Sequence, residues 1–495
     1  MRSNLAANPS AKRLIQRWLD AVGRLAKEKA LAKGFLLATC LGLPLVAPAT
    51  RAFAASPETL EPQLLPLETG GLTADQAAIR AGATSFDTSG RRQAVRAAEA
   101  KLEQALAAYF PRVTLTARYT RLSPVTAPAF NVGGRSINIV APFFDQYLAQ
   151  ANLTIPISDY VLRLSQSYAA ASRNRRAAEL NLKASRLKVE SDARDAYYAW
   201  VRAKGQAVVA QRTVLQAKEH LVDATHSFDA GASSKADVLR VESQVASAEL
   251  VLEQALGLAA ITEDRIRTAM HDASPGNYRV GEDLSIEQPP PPDVDDVEAL
   301  KAEAIDKRLE VRALDETAWS LRSQASATRA GYYPRLDAFG DLIVANPNPR
   351  VFPVEDKFTP SWDVGVQLVW TPNELFASRG NAGDLEARAA ETDFQKAVLC
   401  DSVKLEVMQA FVTFHEAGVA IGTTKRALVA AEEGYRVRRE LFKSGRATSV
   451  ELTDSEVELF RASLDSVNAR ADYRAARCRL LHVTGRDIVA AEGPK

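Results

Sequence analysis

Cysteine is almost missing from this chain. Three occur in 495 residues, Cys40, Cys400 and Cys478, which excludes a disulfide-stapled scaffold and a cysteine-rich metal domain. An excess of charge of one sign is missing too. The 62 basic and 61 acidic side chains nearly cancel, so nothing points to nucleic acid as a partner. The five histidines, His220, His226, His271, His415 and His482, form no His-Glu-x-x-His run and no paired ligand spacing. His220 and His226, six apart, fall on different faces of a helix and read as solvated. There is no Gly-rich phosphate loop and no Gly-x-Ser-x-Gly elbow, so no enzyme, metal site or cofactor is expected. Beyond the N-terminal region no segment is apolar for 18 residues, and no transmembrane helix is expected there.

What is present begins with a targeting segment. Lys12, Arg13, Arg17, Arg24, Lys27, Lys29 and Lys33 form a positive region, Gly34 to Pro48 is apolar, and Ala52-Phe53-Ala54 fits a cleavage site. Residues 1–54 therefore read as a signal peptide, with the mature chain starting at Ala55. Thr39 before Cys40 does not suit lipidation. Residues 55–71 are Pro-rich and polar and read as an extended leader. Cys400 and Cys478 would lie on opposite arms of a helical hairpin, offset by about 20 Å along its axis. A disulfide needs Cα atoms within about 7 Å, so both are expected as free thiols.

One stretch occurs twice. Phe228, Gly231, Ser234, Asp237 and Val238 have the spacing of Phe442, Gly445, Thr448, Glu451 and Leu452. Gly suits a left-handed helix end, Ser or Thr caps the next helix, and a carboxylate in its first turn answers the helix dipole. Each copy reads as the tip of an antiparallel helical hairpin, and two copies indicate an internal duplication.

The remaining pattern repeats with them. Residues 73–108 read as helix with a break at 87–90. The run Tyr109-Phe110-Pro111-Arg112-Val113 then switches the period from 3.6 to 2. Strands follow at about 112–122 and 148–157, separated by a loop at 123–145. A long helix carries Leu180, Leu187, Val201, Val208, Leu215 and Val222 in one seven-residue register. After the first tip, Val238, Val241, Val245, Ala248, Leu252, Ala255 and Ala259 continue at 3–4 spacing. Residues 272–297 form a linker around Pro289-Pro290-Pro291-Pro292. Then the order recurs over 298–487. Tyr332-Tyr333-Pro334-Arg335-Leu336 leads into strands at about 335–345 and 361–371. A long helix from Gly383 to Lys443 carries a seam from Val403 and Val407 to Tyr435 and Phe442. Leu452, Leu459, Ala462, Ala469, Tyr473, Ala476 and Leu480 follow the second tip, and residues 488–495 are a tail.

Strands of 10 to 12 residues match the length of a membrane-spanning β-strand. Trp362 and Trp370 share one face, roughly 26 Å apart at about 3.3 Å per residue, as the two aromatic girdles of such a barrel require. Four strands cannot close a barrel, and lipid tolerates no unpaired edge. Membrane-spanning strands therefore require several chains to share one barrel. The competing reading is a periplasmic coiled-coil spacer or adaptor without a pore.

With its signal peptide, duplicated helix–strand–strand–helix order, Tyr-Phe-Pro-Arg-Val lead-in and two tips, the chain resembles the TolC family of outer-membrane efflux proteins over about residues 72–487. The resemblance implies a mainly α-helical fold with a membrane β-barrel portion. Three chains would contribute four strands each to a 12-stranded barrel, continued through the periplasm by a long α-helical barrel. It implies a passive exit duct for efflux or type I secretion, set in outer-membrane lipid of a Gram-negative bacterium. The partners implied are a homotrimer, a periplasmic adaptor (membrane fusion) protein, and an inner-membrane transporter such as an RND or ABC pump. By the same resemblance Glu451 and Asp454 line the narrowest part of the entrance, where neighbouring carboxylates would raise one another's pKa. Gly231, Ala232, Gly445 and Arg446 stand where family tips meet the adaptor. Asp237 stands where some members pair with an Arg of the second tip. Ala447 occupies that second-tip position here, with Arg446 one place earlier.

Overall fold

A computed structural model of the chain describes residues 70–123, 129–132, 135–138, 143–274, 276–286 and 288–487. The signal peptide, the leader up to residue 69 and the tail at 488–495 lie outside the described residues. Two short helices come first, α1 (Ala74–Thr84) and α2 (Phe86–Ala107). The break between them is a single residue, Ser85, whose hydroxyl caps α2 by accepting from the Thr88 N–H. It falls two residues before the expected break, and Asp87 and Gly90 lie inside α2. Pro111 then follows the last turn and β1 (Arg112–Arg121) begins.

The expected loop at 123–145 contains a small hairpin, β2 (Ala129–Val132) with β3 (Arg135–Asn138). The chain returns in β4 (Asp145–Pro156). The turn from β4 into the first long helix is made by Ile157–Asp159 and a π-helical turn, Tyr160–Leu164. Then α3 (Ser165–Asp229) runs for 65 residues, roughly 100 Å at 1.5 Å per residue. Past the first tip comes α4 (Lys235–Ala269), and past the linker α5 (Val297–Lys307) and α6 (Leu309–Arg329). The second pair of strands is β5 (Arg335–Asn346) and β6 (Thr359–Val369). The second long helix, α7 (Glu374–Lys443), starts nine residues before Gly383 and runs for 70 residues. No proline follows Pro372 to stop it, and Gly380 and Gly383 are absorbed in its first turns. The last helix, α8 (Ser449–Val483), ends at Gly485 with φ +70°.

The main sheet is antiparallel in the order β1-β4-β5-β6. Its central pairing, β4 with β5, joins the two halves of the duplication, with Ala151 opposite Leu342 and Asn152 opposite Asp341. The alternation sends successive side chains to opposite faces. One face carries Val113, Leu115, Leu342, Trp362, Val364, Val366 and Leu368, all exposed. The other carries a polar network, in which the Asp341 carboxylate accepts from Gln150 at 2.8 Å and Asn152 at 2.9 Å. Phe339 lies over Gly365, where an added Cβ would come within 2.7 Å of the ring. A soluble sheet does the reverse, burying its apolar face and wetting its polar one.

The packed interior lies among the helices. Tyr197, Trp200 and Val201 of α3 are fully buried with Ile266, Met270, Leu72, Val280 and Ala471. A second cluster holds Val403, Val407, Ala410 and Phe414 against Tyr473, Ala476 and Leu480, as the seams of α7 and α8 require. Each fully buried Val or Leu contributes about 1.5–3 kcal/mol. In α3 the expected register holds only in part. Leu187 and Val201 are buried, but Leu215 and Val222 are more than half exposed. The lower α3 packs instead through Val214, Ala217, His220 and Ala224. Ala217 and Ala224 let the helices approach, and Leu215 and Val222 turn outward. Another expectation needs correction. By length and composition α4 is apolar enough to cross a membrane, with mean hydropathy 1.4 over 18 residues. It packs along α3 from the tip upward, burying Val241, Val245, Ala259 and Ile266.

Candidate functional site

The two tips are built alike. In the first, Gly231 takes φ +74° and its N–H donates to the Phe228 carbonyl, while the Ala232 N–H reaches back to Ser227. Ser234 and Asp237 then close a reciprocal cap. The Asp237 N–H donates to Ser234 Oγ at 3.3 Å, and the Ser234 N–H donates to Asp237 Oδ2 at 3.2 Å. In the second, Gly445 takes φ +68°, and the Arg446 N–H donates to Leu441. The Thr448 N–H donates to Glu451 Oε2 at 2.9 Å, and the Glu451 N–H donates to Thr448 Oγ1 at 3.3 Å. Each tip thus satisfies its orphan backbone groups with its own side chains. An added Cβ at Gly231 or Gly445 would meet nothing within 4 Å. What demands glycine there is the left-handed backbone alone.

Of the two carboxylates expected at the entrance, Glu451 is tied into its cap, as Asp237 is at the first tip. Glu451 is held below the usual carboxylate range, chiefly by the Thr448 N–H and further by Arg438 at 3.2 Å. Asp237 is lowered by the Ser234 hydroxyl and N–H, with Arg240 nearby. Glu451 points back to its own cap. Asp454 is exposed one turn further along α8. The bonds of Asp237 go to Ser234 and Arg240, not to Arg446, which is exposed at the second tip with Gly445. Gly231 and Ala232 are exposed at the first. Cys400 and Cys478 are both free, and burial pushes the Cys478 thiol up to about 11.

The second tip is held against the first hairpin by contacts that sequence reasoning missed. His220, read as solvated, is only 3% exposed. Its Nδ1 lies 3.2 Å from Glu456 Oε2, and its Nε2 lies 3.4 Å from Ser449 Oγ. The Phe442 ring stands edge-on to the imidazole at 5.3 Å. Higher up, Gln206 donates to Asn468 at 2.7 Å and Arg202 pairs with Asp472 at 2.8 Å. Beside the linker, Glu282 accepts from the Ala74 N–H, Tyr198 and Arg474, and Arg474 also donates to the carbonyls of Asp283 and Ile286. The signal for His220 was present: Ala217, His220 and Ala224 continue the 3–4 spacing of the buried face.

At the other end stands the apolar face of the sheet. Trp362 lies within β6 and Trp370 just past its end, 73% and 55% exposed.

A four-stranded sheet with an apolar outer face, carried on paired helices of this length, is the protomer fold of an outer-membrane channel. The family model described as outer membrane efflux protein matches residues 80–270 and 300–486, and the chain belongs to that family. Solved structures agree in fold. The outer-membrane channel OprN superposes with a TM-score of 0.66 at 17% identity, covering 89% of this chain and 98% of that one. The CmeC outer membrane channel of Campylobacter jejuni gives 0.68 at 13%, covering 88% and 94%. The MtrE outer membrane channel of Neisseria gonorrhoeae, solved in its open state, gives 0.67 at 15%, covering 83% and 88%. No curated protein sequence matches the chain. The protein is an efflux duct of the outer membrane with a helical extension into the periplasm.

Proposed function

We propose that three copies of this chain close one 12-stranded barrel and stack their helices into a single periplasmic tube. The observation that carries this is the sheet: four strands, edge strands β1 and β6 each with one side unpaired among the described residues, and one face that exposes Val113, Leu115, Leu342, Trp362, Val364, Val366 and Leu368. Lipid accepts such a face only when no edge is left open, and 12 strands leave a lumen lined by the polar face. The flanking helices support the same assembly. Leu239, Leu250 and Ile261 form an exposed stripe at 11-residue spacing on α4, and Val398, Leu405, Val412 and Val419 form one at seven-residue spacing on α7. A neighbouring copy that set α7 beside α4 would cover both.

In this reading the tube is a passive conduit. An inner-membrane transporter such as an RND or ABC pump supplies the energy, and a periplasmic adaptor docks at the tips through Gly231, Ala232, Asp237, Gly445 and Arg446. Glu451 and Asp454 of three chains set the charge of the entrance, attracting cations and repelling anions. Trp362 and Trp370 mark the two membrane interfaces.

The test is membrane fractionation followed by denaturing electrophoresis with and without heating. The duct predicts an outer-membrane protein whose unheated form migrates as a trimer. A soluble monomer would instead select the coiled-coil spacer. Replacing Gly231 and Gly445 together with bulky residues should abolish export while heat-modifiable trimers persist in the membrane. Unchanged drug sensitivity in that strain would count against the tips as the docking end.

A further inference from the structure

Strands β5 and β6 carry a pairing that a sheet avoids. Asp341 stands directly opposite Asp363, and like charges facing each other across a ladder are destabilising. Both lie on the polar face, since Leu342 and Trp362 beside them point to the apolar one. The two carboxylates are answered separately. Asp341 accepts from the amides of Gln150 and Asn152, which leave its charge uncancelled. Asp363 pairs with Arg350, which belongs to neither strand. Nothing in the row demands an acid at this position, for Ser361 and Gln367 on the same face of β6 are neutral.

Arg350 comes from the segment 347–358, which joins β5 to β6 at the end of the sheet away from the helices. This segment folds inward over the polar face. Asn348, only 1% exposed, donates from Nδ2 to the Thr359 carbonyl at 2.9 Å and to Ser361 Oγ at 3.1 Å. Its Oδ1 accepts from the Arg350 N–H at 3.0 Å, and its carbonyl accepts from the Val351 N–H at 3.2 Å. The buried amide thus fixes the backbone of Arg350 beside β6, and the guanidinium meets Asp363 on the polar face.

We propose that Arg350 is a specificity-determining residue of the duct: it sets the charge of the outer mouth, and with it the balance of cations and anions that pass there. This rests on the trimeric reading above, in which the polar face lines the lumen. From the level of Asp341 outward, the charged residues of that face, among the described ones, are Arg118, Asp341 and Asp363. With Arg350 added, positive and negative charges cancel. Without it each chain leaves one negative charge uncancelled, and three chains repeat it around one opening. Asn348 carries no charge and is a positioning residue that acts through Arg350.

The test is the reversal potential of the full-length channel in planar bilayers across a KCl gradient. Every variant also carries Glu451→Gln and Asp454→Asn, so that the carboxylates of the entrance do not mask the mouth. Arg350→Ala should raise the ratio of cation to anion permeability by up to roughly fivefold, the Boltzmann weight of one unit charge at about 4 Å in water. Arg350→Lys keeps the charge and should keep the ratio. Adding Asp363→Asn to Arg350→Ala cancels the charge again and should bring the ratio back. Asn348→Ala should shift the ratio in the same direction as Arg350→Ala. The shifts should fade in about 1 M salt, where the screening length falls to about 3 Å. A ratio unmoved by Arg350→Ala, not brought back by Asp363→Asn, or shifted equally in high salt overturns the role of Arg350. No shift in Asn348→Ala removes the positioning role alone. A protein that forms no conducting channel in any variant overturns the duct reading beneath both.

Discussion

Glu451 shows how one carboxylate serves two demands. Its position, three residues after a Thr N-cap, is that of the reciprocal cap, and the structure puts it there. Its charge still faces the entrance in the proposed trimer. Removing the cap with Thr448→Ala should lower the stability of the second tip by about 1 kcal/mol, read as lost amide protection in the first turn of α8. The pH dependence has a definite direction. Because folding holds the Glu451 carboxyl below its ordinary value, its contribution is full above that value and fades as pH falls through the lower, folded one. Protection at the tip should therefore decline in acid and not in mild base. Glu451→Gln, which still caps, should flatten that acid limb. A tip whose protection is independent of pH in the unsubstituted protein would refute this account.

Among the elements, the α3–α8 pair shows a close approach at a single residue. Gly205 lies where an added Cβ would come within 2.6 Å of Val467 Cγ1. Gly205→Ala gains helix propensity but forces the helices apart, and overpacking should win by about 1–3 kcal/mol. Thermal unfolding should show the loss, and Val467→Ala in the same chain should recover part of it. Elements of this kind were only half legible in the sequence. The tips, the strands and the seams of α7 and α8 could be read because their signals are local: a glycine and cap at fixed spacing, a period of 2, a period of 3.6. Ser234 and Thr448 as N-caps were visible for the same reason, while Asp237 and Glu451 were read only as answering the helix dipole and also close the caps. The contact of His220 with Glu456 was not visible, because the two are 236 residues apart and no local rule pairs them. Leu215 and Val222 misled for a related reason. Periodicity finds an apolar face without saying whether it meets the same chain or another.

For the whole molecule, the exposed stripes on α4 and α7 make assembly a matter of ordinary apolar burial. Ile261→Lys places a charge at the end of the α4 stripe farthest from the tip, 68% exposed in the single chain, so the monomer should fold normally. Native electrophoresis should show trimers replaced by monomers, since an unpaired charge would have to be desolvated in the interface. Trimers of normal yield would exclude that stripe from the contact. The molecule is also knotted together at its waist in a way that bears on timing. Leu72 donates its N–H to Arg279 and accepts from Gly281, and the Ala74 N–H reaches Glu282 across 208 residues. Gly71 and Gly281 pass so closely that neither has room for a side chain. The segment from Gly71 to Ala74 thus has no seat until the linker exists. A polypeptide made from its N-terminus onward cannot complete this waist while half of it is still to be synthesised. Long-range closure of this kind is slow.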